Sequence, residues 1–173
     1  MRGLAHVGII ALVDEATGYQ AERARDDLNR ILEAYISKEL LPWTKRFPDE
    51  FFKCIYALHG WDYKEGGHKH PVHVGKLINE LVYEPLPPGV LVELRKRNPP
   101  NEKGNRKYKH HQLLTADTGQ PHLDKQIVSV TTLMRAARGD KGLFKELFRN
   151  AFPKKSPQLL LASIAIKPEA KKS

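Results

Sequence analysis

Apolar residues recur at three- and four-residue steps along much of the chain, which is the spacing of a helix with one buried face. The clearest case is the segment over 21–41, where apolar residues share one face and charged residues fill the other. The helices that the pattern predicts cover residues 4–13, 21–41, 48–59, 72–82, 90–97, 120–137 and 143–152. No stretch keeps the alternation of a half-buried strand. The sequence therefore predicts an all-α fold, a compact single domain of about six to eight helices.

Prolines and glycines mark the predicted helix ends and the domain boundary. Pro42 and Gly60 are expected to end the first two long helices. Past the last predicted helix the chain becomes Lys-rich around a short apolar patch over 159–166. We therefore predict a helical domain over 1–153, followed by a basic tail over 154–173.

Length and composition are those of a globular protein with one core. A chain of 173 residues is long enough for this core. Its single cysteine, Cys54, excludes an internal disulfide and a multi-cysteine zinc site. The longest apolar stretch, over 7–13, is far shorter than a membrane span, and the first residues lack the features of a signal peptide. We therefore expect a soluble, cytoplasmic protein without a membrane partner.

Positive charge is concentrated in one stretch of the chain. The net charge is +9, and residues 95–109 carry seven basic residues and one acid, a net +6. Residues 1–94, in contrast, are mildly acidic at −3. This asymmetry favours a polyanionic partner that meets one side of the protein. The alternative is a basic surface that serves only solubility.

The basic stretch is the candidate site. It combines Lys and Arg, which bind phosphate oxygens, with a tyrosine and a histidine that can stack on bases or bond phosphates. The predicted nucleic-acid-binding residues are Arg95, Lys96, Arg97, Lys103, Arg106, Lys107, Tyr108, Lys109 and His111. No helix-turn-helix pattern assigns a recognition helix, so we predict phosphate contact rather than sequence readout. DNA is favoured over RNA as the partner.

Two groups of histidines are candidates for metal binding or catalysis. The first group is His68, His70 and His73, within one loop. The second has the residue types of a histidine-assisted nuclease and consists of His110, His111, Asp117 and His122. Neither spacing matches a metal or nuclease signature, which favours structural or incidental histidines. We therefore assign no catalytic residue, metal or cofactor, and a binding module is favoured over an enzyme.

A protein-interaction or oligomerisation module is the main alternative function. The segments over 4–13 and 159–166 are apolar enough to bind a protein partner or a second copy of the chain. A homodimer that is insensitive to salt and ignores nucleic acid would favour this interpretation.

Several short motifs, taken together, resemble one known family. They are Trp61-Asp62-Tyr63, the run from Val74 to Tyr83, Leu86-Pro87-Pro88-Gly89-Val90-Leu91, Asn98-Pro99, the pattern His111-Gln112-x-Leu114-Thr115-x-Asp117-x-Gly119-x-Pro121-x-Leu123, and Ala151-Phe152-Pro153. The combination, over about residues 20–153, resembles the C-terminal domain first defined in the p-sixty-three protein of a myxobacterial phage. Members of that family occur in phages, prophages and bacterial genomes.

The resemblance implies a phage-linked regulatory setting and brings no established activity with it. It also implies that Met1 falls inside a longer parental protein, so that this chain is a truncated or free-standing copy. Where many relatives have His, this chain has Gln126, which argues against catalytic or metal use of that position.

Overall fold

Helices joined by loops make up the part of the chain that the computed structural model describes, residues 19–64, 70–102 and 104–153. The α-helices there are α1 (Tyr19–Tyr35), α2 (Asp49–His59), α3 (Val72–Ile78), α4 (Val90–Arg97), α5 (Gly119–Ala136) and α6 (Lys141–Ala151). A π-helical segment, Asn79–Tyr83, continues α3, and a 3₁₀ helix, His110–Leu113, precedes α5. These described residues contain isolated β-bridges but no strand. The predicted all-α class is confirmed.

The described residues from Leu32 onward belong to one compact unit, and residues 19–31 belong to another. The predicted domain over 1–153 with a tail over 154–173 stays a prediction. The apolar segments over 4–13 and 159–166 lie outside the described residues. Within the described ranges, no helix is long and apolar enough to span a bilayer.

The first long helix is shorter than the apolar pattern predicts. It was expected over 21–41 with Pro42 at its end, but α1 ends at Tyr35. The next residue, Ile36, is buried and forms an antiparallel β-bridge with Leu114, far along the chain. A tertiary contact therefore ends this helix before the proline is reached. The other predicted helices that fall on described residues are confirmed to within two residues at each end.

The core forms around α5, which packs against α2, α6 and the π-helical segment. Leu123 and Val130 of α5 are fully buried, as are Phe51 and Ile55 of α2. Phe144 of α6 closes another side of α5 and is 6% exposed. Burial of such large apolar side chains supplies most of the free energy that holds helices together.

A buried amide joins α5 to the π-helical segment. Gln126 of α5 is 6% exposed, and its Nε2 donates to the Leu81 carbonyl at 3.1 Å. A buried carbonyl without a partner would destabilise the fold, so this hydrogen bond matters more than one at the surface. The role that the structure gives Gln126 is therefore to hold two elements together.

Candidate nucleic-acid interface

The basic loop, defined here as residues 98–102 and 104–109, is closed by its own backbone. Pro100 and Arg106 form an antiparallel β-bridge. At the turn, the Asn101 N–H donates to the Asn105 carbonyl at 2.7 Å, and the Gly104 N–H donates back to the Asn101 carbonyl at 2.8 Å. Gly104 has φ +76°, a conformation that glycine adopts at little cost. The two halves of the loop are thus held side by side.

Asn98 clamps the base of the basic loop from inside. It is 2% exposed, and its side-chain Nδ2 donates to the Tyr108 carbonyl at 2.7 Å. Arg106 is half-buried, and its Nη1 donates to the carbonyl of the same Asn98. Sequence reasoning missed Asn98; its position directly before two prolines, at a helix end, was the available signal.

Arg97 is also engaged within the protein. Its Nε donates to Glu93 Oε1 at 2.8 Å, one turn back on α4, and its Nη1 donates to the Ser37 carbonyl at 3.2 Å. Arg97 and Arg106, two of the predicted phosphate-binding residues, therefore help to fix the end of α4 and the basic loop in place. Each guanidinium group has five N–H donors, so both keep donors for a ligand.

The remaining predicted cations on described residues face solvent. Arg95, Lys96, Lys107 and Lys109 are exposed, and none of them forms an ion pair within the described residues. The Lys107 ammonium lies 5.2 Å from the centre of the half-buried Tyr108 ring. Lys103 lies outside the described residues. We call Arg95, Lys96, Lys107 and Lys109 the exposed cations.

His110 lies near two of the predicted cations, Arg95 and Arg106, whose charges act on its ring. His110 is 7% exposed, and its ring meets the buried Tyr83 ring edge-on at 5.4 Å between centres. Burial, then the nearby Arg106 and Arg95, and then His111, lower the pKa of His110 to about 4. Neither of its ring nitrogens has a hydrogen-bond partner in the described part of the chain. Because α4 packs on the 3₁₀ helix, both ends of the basic stretch converge here.

His111, the predicted phosphate-binding histidine, lies in the interior and is 4% exposed. Burial lowers its pKa, and Arg46 and Lys109 act in the same direction. Gln120 donates to the His111 carbonyl at 3.3 Å and accepts a hydrogen bond from Arg46, which also pairs with Asp124 at 2.9 Å. The His111 carbonyl thus belongs to an internal polar network, and its ring, whose Nε2 has no hydrogen-bond partner within the described residues, is not part of the exposed surface.

Two of the other candidate histidines, His70 and His122, make local contacts. His122 is hydrogen-bonded to the Tyr35 hydroxyl. His70 stacks on Phe52 with ring centres 4.1 Å apart and bonds the Tyr56 hydroxyl at 3.1 Å, while His68 lies outside the described residues. In the described ranges, no three His, Cys, Asp or Glu side chains are placed to hold a metal ion.

A cleft of about 550 Å³ opens beside the basic loop. Its lining combines apolar walls with cationic and amide groups: Arg97, Asn98, Pro99, Pro100, Asn101, Arg106, Lys107 and Tyr108. A cleft with such walls can hold a flat apolar group and a negative charge at the same time. The sequence stretch of highest charge thus coincides with a concave surface.

Comparison with known proteins identifies the family. Residues 31–123 match the family model described as the P-sixty-three-C domain. The chain belongs to the P-sixty-three-C domain family. The match runs from the end of α1 to the start of α5 and includes all of the predicted nucleic-acid-binding residues. It does not extend to α6 or to Ala151-Phe152-Pro153.

No curated protein and no solved structure matches the chain. Membership of the P-sixty-three-C domain family confirms the resemblance that the motifs indicate. It attaches no reaction or ligand to the basic loop, so any function must be argued from the loop's own chemistry.

Proposed function

We propose that this P-sixty-three-C domain is a nucleic-acid-binding module of phage or mobile-element origin, with a regulatory role and a preference for DNA. The observation that supports the proposal most directly is the set of exposed cations, Arg95, Lys96, Lys107 and Lys109, which form no ion pairs within the described residues. Cations of this kind are free to replace the counterions of a phosphate backbone.

The internal bonds of the loop favour this function because they limit the conformational cost of binding. Asn98 fixes the base of the loop, and Arg106 and Arg97 are held by backbone carbonyls. Lys96 lies in α4, and Lys109 directly precedes the 3₁₀ helix, so both are anchored at ordered elements. A preorganised cationic surface loses less entropy on binding than a mobile one.

The proposal is tested by reversing charge at this surface and, separately, elsewhere. One variant carries Lys96→Glu, Lys107→Glu and Lys109→Glu. The matched control carries Lys76→Glu, Lys141→Glu and Lys145→Glu, which are also exposed and change the net charge by the same amount. Binding to labelled DNA and RNA is measured over a salt series, and circular dichroism checks that both variants fold.

We expect the wild type to bind with a steep salt slope. The first variant should lower that slope by about 3, roughly one for each lost phosphate contact, and the control should change it little. An equal loss of nucleic-acid affinity in both variants would mean that binding depends on the net charge of the protein and not on the exposed cations. If the wild type does not bind nucleic acid at low salt and forms a salt-insensitive dimer, the proposal is wrong. The protein-interaction alternative is then favoured.

A further inference from the structure

We infer that the cleft beside the basic loop receives one unpaired nucleotide, so that the partner is single-stranded or locally melted nucleic acid rather than intact duplex. This inference rests on the proposed function and specifies its substrate class. The observation behind the inference is the set of residues that line the cleft. Tyr108 and two prolines line it together with three cationic residues, Arg97, Arg106 and Lys107.

The size and walls of the cleft fit a nucleotide. Its volume of about 550 Å³ lies within the range of small-ligand sites, roughly 300–1,000 Å³. Tyr108, Pro99 and Pro100 offer apolar surface on which a base can lie. The cationic groups on the same lining can bind the attached phosphate.

The cleft walls are set before a ligand arrives. Asn98 holds the Tyr108 backbone at 2.7 Å, and a β-bridge joins Pro100 and Arg106, two other residues of the lining. Lys107 now covers part of the Tyr108 ring from 5.2 Å. Its flexible stem lets the ammonium move from the ring to a phosphate, since cation–π contacts at exposed sites are weak.

A duplex would use this cleft poorly. In a duplex each base is stacked between its neighbours, so the grooves expose base edges but no base face, and an aromatic wall has no base face to meet. An unpaired base exposes its face, and stacking on tyrosine tolerates any sequence. Exposed cations alone would serve a duplex equally well, and it is Tyr108 within the cleft that favours a single strand.

The test compares Tyr108→Leu with the matched variant Tyr108→Phe, which keeps an aromatic ring. The probes are a labelled oligothymidylate and a duplex of the same length. We expect the wild type to prefer the single strand, Tyr108→Leu to lose roughly tenfold in single-strand affinity, and Tyr108→Phe to keep it. Duplex affinity should stay the same in all three proteins.

An equal affinity of Tyr108→Leu and wild type for the single strand would overturn the inference, as would an equal loss for both probes. The proposed function would survive either result if the exposed cations still set the salt slope. It would fall if the wild type bound neither probe.

A second measurement keeps the inference testable should Tyr108→Leu fold poorly. The unaltered protein is photo-crosslinked to a single strand that contains iodouracil, and the labelled peptide is identified by mass spectrometry. A crosslink within residues 98–109 supports the inference, and a crosslink confined to other peptides overturns it.

Discussion

At the scale of single residues, the basic loop depends on one buried amide. Asn98 accepts the Arg106 guanidinium on its backbone carbonyl and donates from its side chain to Tyr108. Its side-chain oxygen also accepts from the Tyr108 N–H at 3.4 Å. The Asn98 side chain therefore makes hydrogen bonds to both the N–H and the carbonyl of Tyr108, ten positions away. These bonds close the basic loop at its base.

We expect Asn98→Ala to lower the free energy of unfolding by about 1–3 kcal/mol, because the Tyr108 carbonyl and N–H would lose a partner in a partly buried site. Urea denaturation followed by circular dichroism measures the change. Asn150→Ala, at an exposed position of α6, is the control and should change stability by less than about 0.5 kcal/mol. A loss no greater than that of the control would show that water replaces the clamp.

The residue types of the site could be predicted from the sequence, but their individual roles could not. A run of Lys and Arg fixes where positive charge lies along the chain. Whether a given cation is free depends on what the fold brings to it, as with Arg97 and the Ser37 carbonyl, 60 positions away. His111 shows the same limit, because its burial follows from the packing of the 3₁₀ helix and not from its basic neighbours.

At the scale of elements, the start of α5 packs unusually closely against the end of α1. A Cβ at Gly119 would lie 2.7 Å from the Tyr35 carbonyl oxygen and 2.9 Å from the Leu114 Cβ. The Thr115 hydroxyl bridges the same place, donating to the Ala34 carbonyl at 2.6 Å and accepting from the Gly119 N–H at 2.9 Å. This contact fixes the start of α5 against the end of α1. It thereby also fixes the end of the segment that connects the basic loop to α5.

We expect Gly119→Ala to destabilise the fold by about 1–3 kcal/mol, since the new methyl group collides with backbone that cannot move freely. Gly75→Ala is the matched control, because no atom lies within 4 Å of its Cβ position in α3. That substitution should stabilise by about 0.5–1 kcal/mol, because alanine favours a helix more than glycine does. Thermal unfolding of both variants gives the comparison, and two shifts of the same sign would contradict the assigned packing.

The helices themselves could largely be predicted from apolar periodicity, and the exception is instructive. The periodic pattern continues past Tyr35 as far as Leu40, yet Leu40 is 42% exposed and the helix has already ended. Ile36 leaves the helix to pair with Leu114, a contact between residues 78 positions apart. Local propensity is a weak guide where a long-range backbone pairing competes with it.

At the scale of the whole molecule, a chain of net charge +9 folds with several histidines held neutral. Burial is the largest cause that lowers the pKa of His70, His110, His111 and His122. The unfolded chain therefore binds more protons than the folded one as pH falls below the ordinary histidine range. Stability from these groups is complete above about pH 6.5 and is lost as pH falls towards their folded values.

His110 should account for a large part of this acid sensitivity. Its pKa falls from 6.5 to about 4 on folding, which corresponds to a stability loss of up to about 3 kcal/mol between those pH values. His110→Leu removes the titrating ring while keeping the site apolar, so the variant should lose less stability than wild type over this range. The measurement is the free energy of urea unfolding at several pH values from about 7 to about 4. His73→Leu, at an exposed position, is the control, and an identical pH dependence for His110→Leu and wild type would exclude His110 as the cause.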